Sequence, residues 1–233
     1  IGQVVGGVLP LFYFARPNSS LLRIKHTKPE LKPLLKACGN GSSELMSNIS
    51  SSFVSMLYNF QLMKYAGEDG IAAYGVLMYT WMIFGSVFVG YAIGTAPIIS
   101  FHYGAENYDE LKGMLKKSVV LMFGGGILML CAAWTLSAPL SHIFVGYDRE
   151  LFELTKHAFR IFAFSFVMSG FNIFASSFFT ALNNGAISAA ISFLRTLVFQ
   201  MTAVLVLPLI FGIDGIWWAM IAAELFALVI STI

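Results

Sequence analysis

Apolar residues in this chain come in long blocks, and the polar residues inside those blocks recur at three- and four-residue steps. Blocks long enough to cross about 30 Å of hydrocarbon, which takes about 20 helical residues, fall at 42–65, 71–99, 118–139, 151–182 and 187–211. Two partial blocks cover 1–15 and 215–233. None shows the period-two alternation of barrel strands, and lipid admits only helices or closed barrels. The pattern therefore predicts an all-α, polytopic transmembrane helix bundle. Short links at 67–70, 140–150, 183–186 and 212–215 predict antiparallel neighbours.

Within the block 42–65, Glu44, Asn48, Ser51, Ser52, Ser55 and Asn59 all fall in an arc of roughly 100° on a helix. In 151–182, Ser165, Ser169, Asn172, Ser176 and Thr180 share an arc of roughly 80°. The block 187–211 adds Ser188, Ser192, Thr196 and Gln200 at four-residue steps with Arg195 beside them, and the last block adds Glu224. Polar groups at membrane depth belong inside the bundle or against water, so these stripes predict a hydrated cavity on which separate spans converge. Small hydroxyl residues also serve as hydrogen-bonding contacts between helices, a reading that competes for the Ser and Thr positions.

Composition sharpens the class. Hydrophobic residues make up 58% and charged ones 11%, against about 25% charged in soluble domains. Mean hydropathy is +0.77. After Arg160 the only formal charges are Arg195, Asp214 and Glu224. A net charge of +2 gives no footprint for nucleic acid. Cys38 and Cys131 fit no disulfide or metal pattern, and His102, His142 and His157 lack ligand spacing, so no zinc is expected. The segment 16–36 carries six Lys or Arg and one acid, Glu30, which makes it cytoplasmic by the positive-inside rule. Alternation puts 101–117, with Lys112, Lys116 and Lys117, on the same side. Asn107 and Glu110 predict a capped, amphipathic lead-in over 108–117.

An ionised carboxylate about one turn inside an apolar run costs about 2.5–3.5 kcal/mol unless it is protonated, paired or hydrated. Glu44 sits so, with Asn48 one turn on, and together they offer hard oxygen ligands for Na⁺ or a proton site. Either would tie an ion gradient to a conformational change. Glu224 is a second ion-coupling candidate, while Arg195 and Glu224 also suit an internal ion pair. The cavity-lining candidates are Ser52, Ser55, Asn59, Ser169, Asn172, Ser176, Arg195 and Gln200. No catalytic residue is expected, because no nucleophile with a positioned base lies mid-membrane. Gly90 and Gly94, and the run Gly124 to Gly126, suit close helix approach or bending. Tyr74, Tyr79, Trp81 and Tyr91 suit either an aromatic path for cations or ordinary core packing.

The stretch from Gly94 to Tyr108, followed by Lys112, resembles the signature that ends a helix in the multidrug and toxic compound extrusion (MATE) family. Pro97, Tyr103, Gly104, Ala105, Asn107 and Tyr108 match it, while Ala96, Ser100 and His102 depart from it. Gly41 to Glu44, Leu182 to Ala186 and Leu207 to Trp217 resemble further family segments, so the likeness runs along the whole chain. The resemblance implies one lobe of a two-lobe transporter. On that reading 1–15 ends the last helix of the N-terminal lobe, 16–36 links the lobes, and 37–233 is the C-terminal six-helix lobe. The chain opens and closes inside apolar runs, which reads as part of a longer chain.

What the resemblance implies for function is a multi-pass plasma-membrane antiporter, coupled to Na⁺ or H⁺ and without cofactor, that exports small organic cations or drugs by alternating access. Its partners would be membrane lipids and the N-terminal lobe of the same chain, with no nucleic acid. A lipid-linked saccharide flippase of the same superfamily is the alternative, and it would want several cationic side chains to meet pyrophosphate. A channel would show flux without coupling.

Overall fold

The structure is a computed structural model that describes residues 2–16 and 30–232, apart from the side chains of Gln3, Ser43 and Glu44. The chain divides into two compact units, Ile1–Ala37 and Cys38–Ile233. The first holds helix α1 (Gly2–Ala15) and most of α2 (Leu31–Asn40). Most of the predicted linking loop 16–36 lies outside the described residues. From Leu31 onward it is helix and not loop, because Pro33 falls in the first turn of α2, where a missing N–H costs nothing.

The second unit is built from α3 (Ser42–Gly104), α4 (Tyr108–Val145), α5 (Arg149–Phe162), α6 (Phe166–Ala181), α7 (Gly185–Phe193), α8 (Gln200–Phe211) and α9 (Ile213–Ser231). Among the described residues there is no strand. Helix α3 is two antiparallel arms joined at Gly67, whose φ of 62° and ψ of −148° suit glycine alone. The stacked rings of Tyr58 and Tyr74, 5.0 Å apart, show the reversal. A straight helix would hold them about 24 Å apart. The predicted link 67–70 thus contracts to a single residue. With both arms counted, the long apolar stretches give six passes among the described residues of this unit.

Helix α4 is continuous from Tyr108, so the expected lead-in 108–117 is not a separate segment and the expected loop 101–117 shrinks to 105–107. Nothing in the sequence breaks the helix there, and the Tyr91 hydroxyl holds Ser118 at 2.9 Å. The predicted cap is present: the Asn107 side chain accepts from the Glu110 N–H at 3.4 Å. A 3₁₀ turn, Ala163–Ser165, joins α5 to α6. A π-helical segment, Leu194–Phe199, joins α7 to α8.

The centre of the unit is α6, which packs against α3, α4, α7 and α9. Phe166, Phe174 and Asn172 on α6 are fully buried. Gly126 lets α4 approach closely, since a Cβ there would sit 2.8 Å from the Val167 Cα. Gly90 and Gly94 do not serve close approach among the described residues, because both face open space. Large apolar side chains such as Phe60, Met82, Phe101, Leu209 and Phe226 are exposed, as a lipid-facing surface requires. The predicted aromatic group is dispersed: Tyr74 stacks on Tyr58, Tyr79 on Phe144, and Tyr91 lies against Phe174.

Candidate functional site

Glu224 lies mid-way along α9 and is 2% exposed, so its carboxylate needs partners at close range. Two other spans provide them. Arg195, within the π-helical segment, donates from Nη2 to Oε1 at 2.7 Å and from Nε to both carboxylate oxygens at 3.1 Å. Asn172 on α6 donates from Nδ2 to Oε2 at 2.6 Å and to the Glu224 main-chain carbonyl at 2.9 Å. The amide oxygen of Asn172 is buried without a partner. The guanidinium neutralises the carboxylate, and the amide fixes its rotamer.

A π turn adds one residue to a helical turn and re-phases the side chains around it. Here it brings Arg195 round to α9 while Gln200, at the start of α8, reaches the Met220 sulfur. Tyr58 on α3 completes the surroundings, since its hydroxyl lies within electrostatic reach of Glu224 and Gln200.

A second polar cluster lies between α6 and α7. Ser176 meets Ser188 at 2.9 Å and Ser192 at 2.8 Å, and Thr180 donates to Ser188 at 2.7 Å. Ser188 donates in turn to the Ser176 carbonyl. These hydroxyls satisfy one another, which is the interhelical hydrogen-bonding role. Ser169 is buried and donates to the Ser165 carbonyl.

Helix α3 carries its stripe differently. Asn48, Ser51 and Ser52 are exposed, Ser55 and Asn59 half-buried, and Ser52 donates to the Asn48 carbonyl. The Glu44 side chain lies outside the described residues. Tyr58, level with Glu224, stands about 15 Å along the helix from Asn48. The structure therefore brings Glu224 together with Asn172 and Arg195, and not with Asn48.

Around Glu224, Asn172 and Arg195 the described side chains contact one another directly. Two cavities of about 410 and 460 Å³ are present, the first lined by Asn40, Pro97, Ser100 and Thr180 among others, the second by Phe53, Met56, Leu57, Phe60 and Met201. Neither is lined by Glu224, Asn172 or Arg195, whose contacts with each other are direct. The π segment was not visible in the sequence, while the ion pair of Arg195 with Glu224, one of the options there, is present.

Comparison with known proteins places this geometry. Two proteins called multidrug export protein MepA match 96% of the chain, one from Staphylococcus haemolyticus at 22% identity and one from Staphylococcus saprophyticus at 21%. The chain spans about half the length of these curated relatives, 49% in each case. Among solved structures, an outward-facing multidrug resistance MATE family transporter of the MOP superfamily superposes with a TM-score of 0.89 over 98% of this chain and 52% of its own, at 18% identity. A MOP superfamily transporter from Pyrococcus furiosus superposes equally well, with the same coverage and identity. These likenesses show the fold, a six-pass lobe making up half of a two-lobe architecture. The MatE family model matches residues 45–206, which takes in both arms of α3, the Asn172 helix and the Arg195 segment, and on that match the chain belongs to the MatE family.

Proposed function

We propose that the intact protein is a Na⁺- or H⁺-coupled antiporter that exports small organic cations or drugs across the plasma membrane by alternating access. The family match and the relatives called multidrug export proteins support export. The observation that carries the coupling is Glu224, a fully buried carboxylate held by donors from two other spans. A carboxylate so placed exchanges partners only if the helices carrying them move, which links ion or substrate binding to the arrangement of α6, α9 and the π segment.

The exposed polar face of Asn48, Ser51 and Ser52 supports a water-lined path along α3. On the same reading the segments 16–36 and 101–117 are cytoplasmic, and Glu44 contributes to ion coupling near one end of that path.

The flippase alternative is disfavoured by Arg195. It is the one Lys or Arg after Arg160 and its charge is already paired with Glu224, whereas pyrophosphate would want several free cations.

The test is efflux of a fluorescent organic cation from vesicles containing the full-length chain, under an imposed H⁺ gradient, an imposed Na⁺ gradient or neither. Efflux that follows one gradient supports the antiporter. Equal flux under all three conditions fits a channel and contradicts it.

A further inference from the structure

The partners already on Glu224 define what can replace them. Its oxygens accept four hydrogen bonds in all among the described residues, three of them from the planar guanidinium of Arg195 and one from the Asn172 amide. Every one of these bonds comes from an N–H donor. The surroundings thus present a planar fork site, in which two N–H vectors from one delocalised cation meet two carboxylate oxygens. An organic cation lacking N–H groups, unlike a metal ion that the oxygens can ligate directly, offers nothing to replace those bonds, and leaving them unmade in a buried site is costly.

Arg195 is also mounted on the irregular part of its span. The π-helical segment Leu194–Phe199 has none of its residues buried, and return of such a segment to α-helical register rotates its side chains relative to α9. Asn172, by contrast, sits on the central helix and is fully buried. One partner of Glu224 stands on a regular, buried helix and the other on an irregular, partly exposed turn.

Building on the transport reading above, we propose that Arg195 is a tethered competitor: its guanidinium occupies the carboxylate of Glu224, and amidinium- or guanidinium-type cations are the ligands that displace it. Organic cations without N–H donors pass through the protein, if at all, without using this carboxylate. The other polar groups near it, Asn172 and Tyr58, are uncharged and leave Arg195 as its one counter-charge among the described residues.

The test is calorimetric titration of the full-length chain in nanodiscs with benzamidine, an aromatic amidinium, and with tetraphenylphosphonium, which has no N–H. Arg195→Lys keeps the charge but loses the fork, so benzamidine should bind at least about tenfold more tightly than to wild type. Arg195→Gln should tighten it further, and Arg195→Gln combined with Glu224→Gln should abolish the gain. Tetraphenylphosphonium affinity should stay unchanged throughout. If Arg195→Gln does not fold, Arg195→Lys decides. Unchanged or weaker benzamidine binding in Arg195→Lys, or a gain that survives removal of Glu224, overturns the proposal. Absence of gradient-driven efflux by wild type would count against the transport reading alone, since the titration does not depend on it.

Discussion

Asn172 on α6 grips both the side chain and the main-chain carbonyl of Glu224 on α9 with one amide nitrogen. The two residues are 52 positions apart in sequence, so this contact locks the central helix to the last one. Replacing Asn172 by Leu removes a charge-assisted donor and leaves Glu224 dependent on Arg195. A loss of about 1.5–3 kcal/mol is expected, read as reduced thermal stability of the purified protein in detergent. Stability equal to wild type would show that the amide contributes nothing.

The reversal at Gly67 makes a second prediction. Its backbone conformation is open essentially to glycine alone, so Gly67→Ala should cost about 1–3 kcal/mol. Nothing lies within 4 Å of where the new Cβ would sit, so the loss would come from backbone strain and not from a clash. Gly90→Ala, at an open helical position, should leave thermal stability unchanged or slightly raised and serves as the control.

The hydroxyl cluster of α6 and α7 behaves as packing. Ser188→Ala should cost only about 0.6 kcal/mol, the usual worth of a hydrogen bond between membrane helices. Drug efflux by the full-length chain should remain near the wild-type rate. A large efflux defect in a normally stable Ser188→Ala protein would instead give this cluster a place on the transport path.

Much of the fold was legible in the sequence because lipid enforces it. A block of about 20 apolar residues has few options other than a spanning helix. The breaks before Asp148, Asn184 and Asp214 were visible because glycine, asparagine and aspartate cluster there. Helix α4 ran past its predicted start because Lys112, Lys116 and Lys117 lower hydropathy without breaking a helix.

The site was legible only in part. Periodicity places Asn172 and Arg195 on the polar faces of their own helices, but it fixes no phase between helices. Which stripe meets which depends on packing, here on the approach of α4 to α6 at Gly126 and on the central position of α6. The π segment left no trace, because Leu194 to Phe199 reads as ordinary amphipathic helix. Thus the pairing of Arg195 with Glu224 appeared from sequence as one option among several, and Glu44 drew more weight because a carboxylate about one turn inside an apolar run, with Asn48 beside it, is costly to keep.

The central claim is that the buried carboxylate of Glu224 couples substrate movement to an ion gradient. It is tested most directly by comparing gradient-driven efflux with equilibrium exchange of one fluorescent cation that carries an amidinium group, in vesicles holding full-length wild type or Glu224→Gln. The account predicts that Glu224→Gln still exchanges substrate across the membrane at equilibrium but no longer accumulates or expels it when the gradient is imposed. Gradient-driven efflux by Glu224→Gln at the wild-type rate would contradict it.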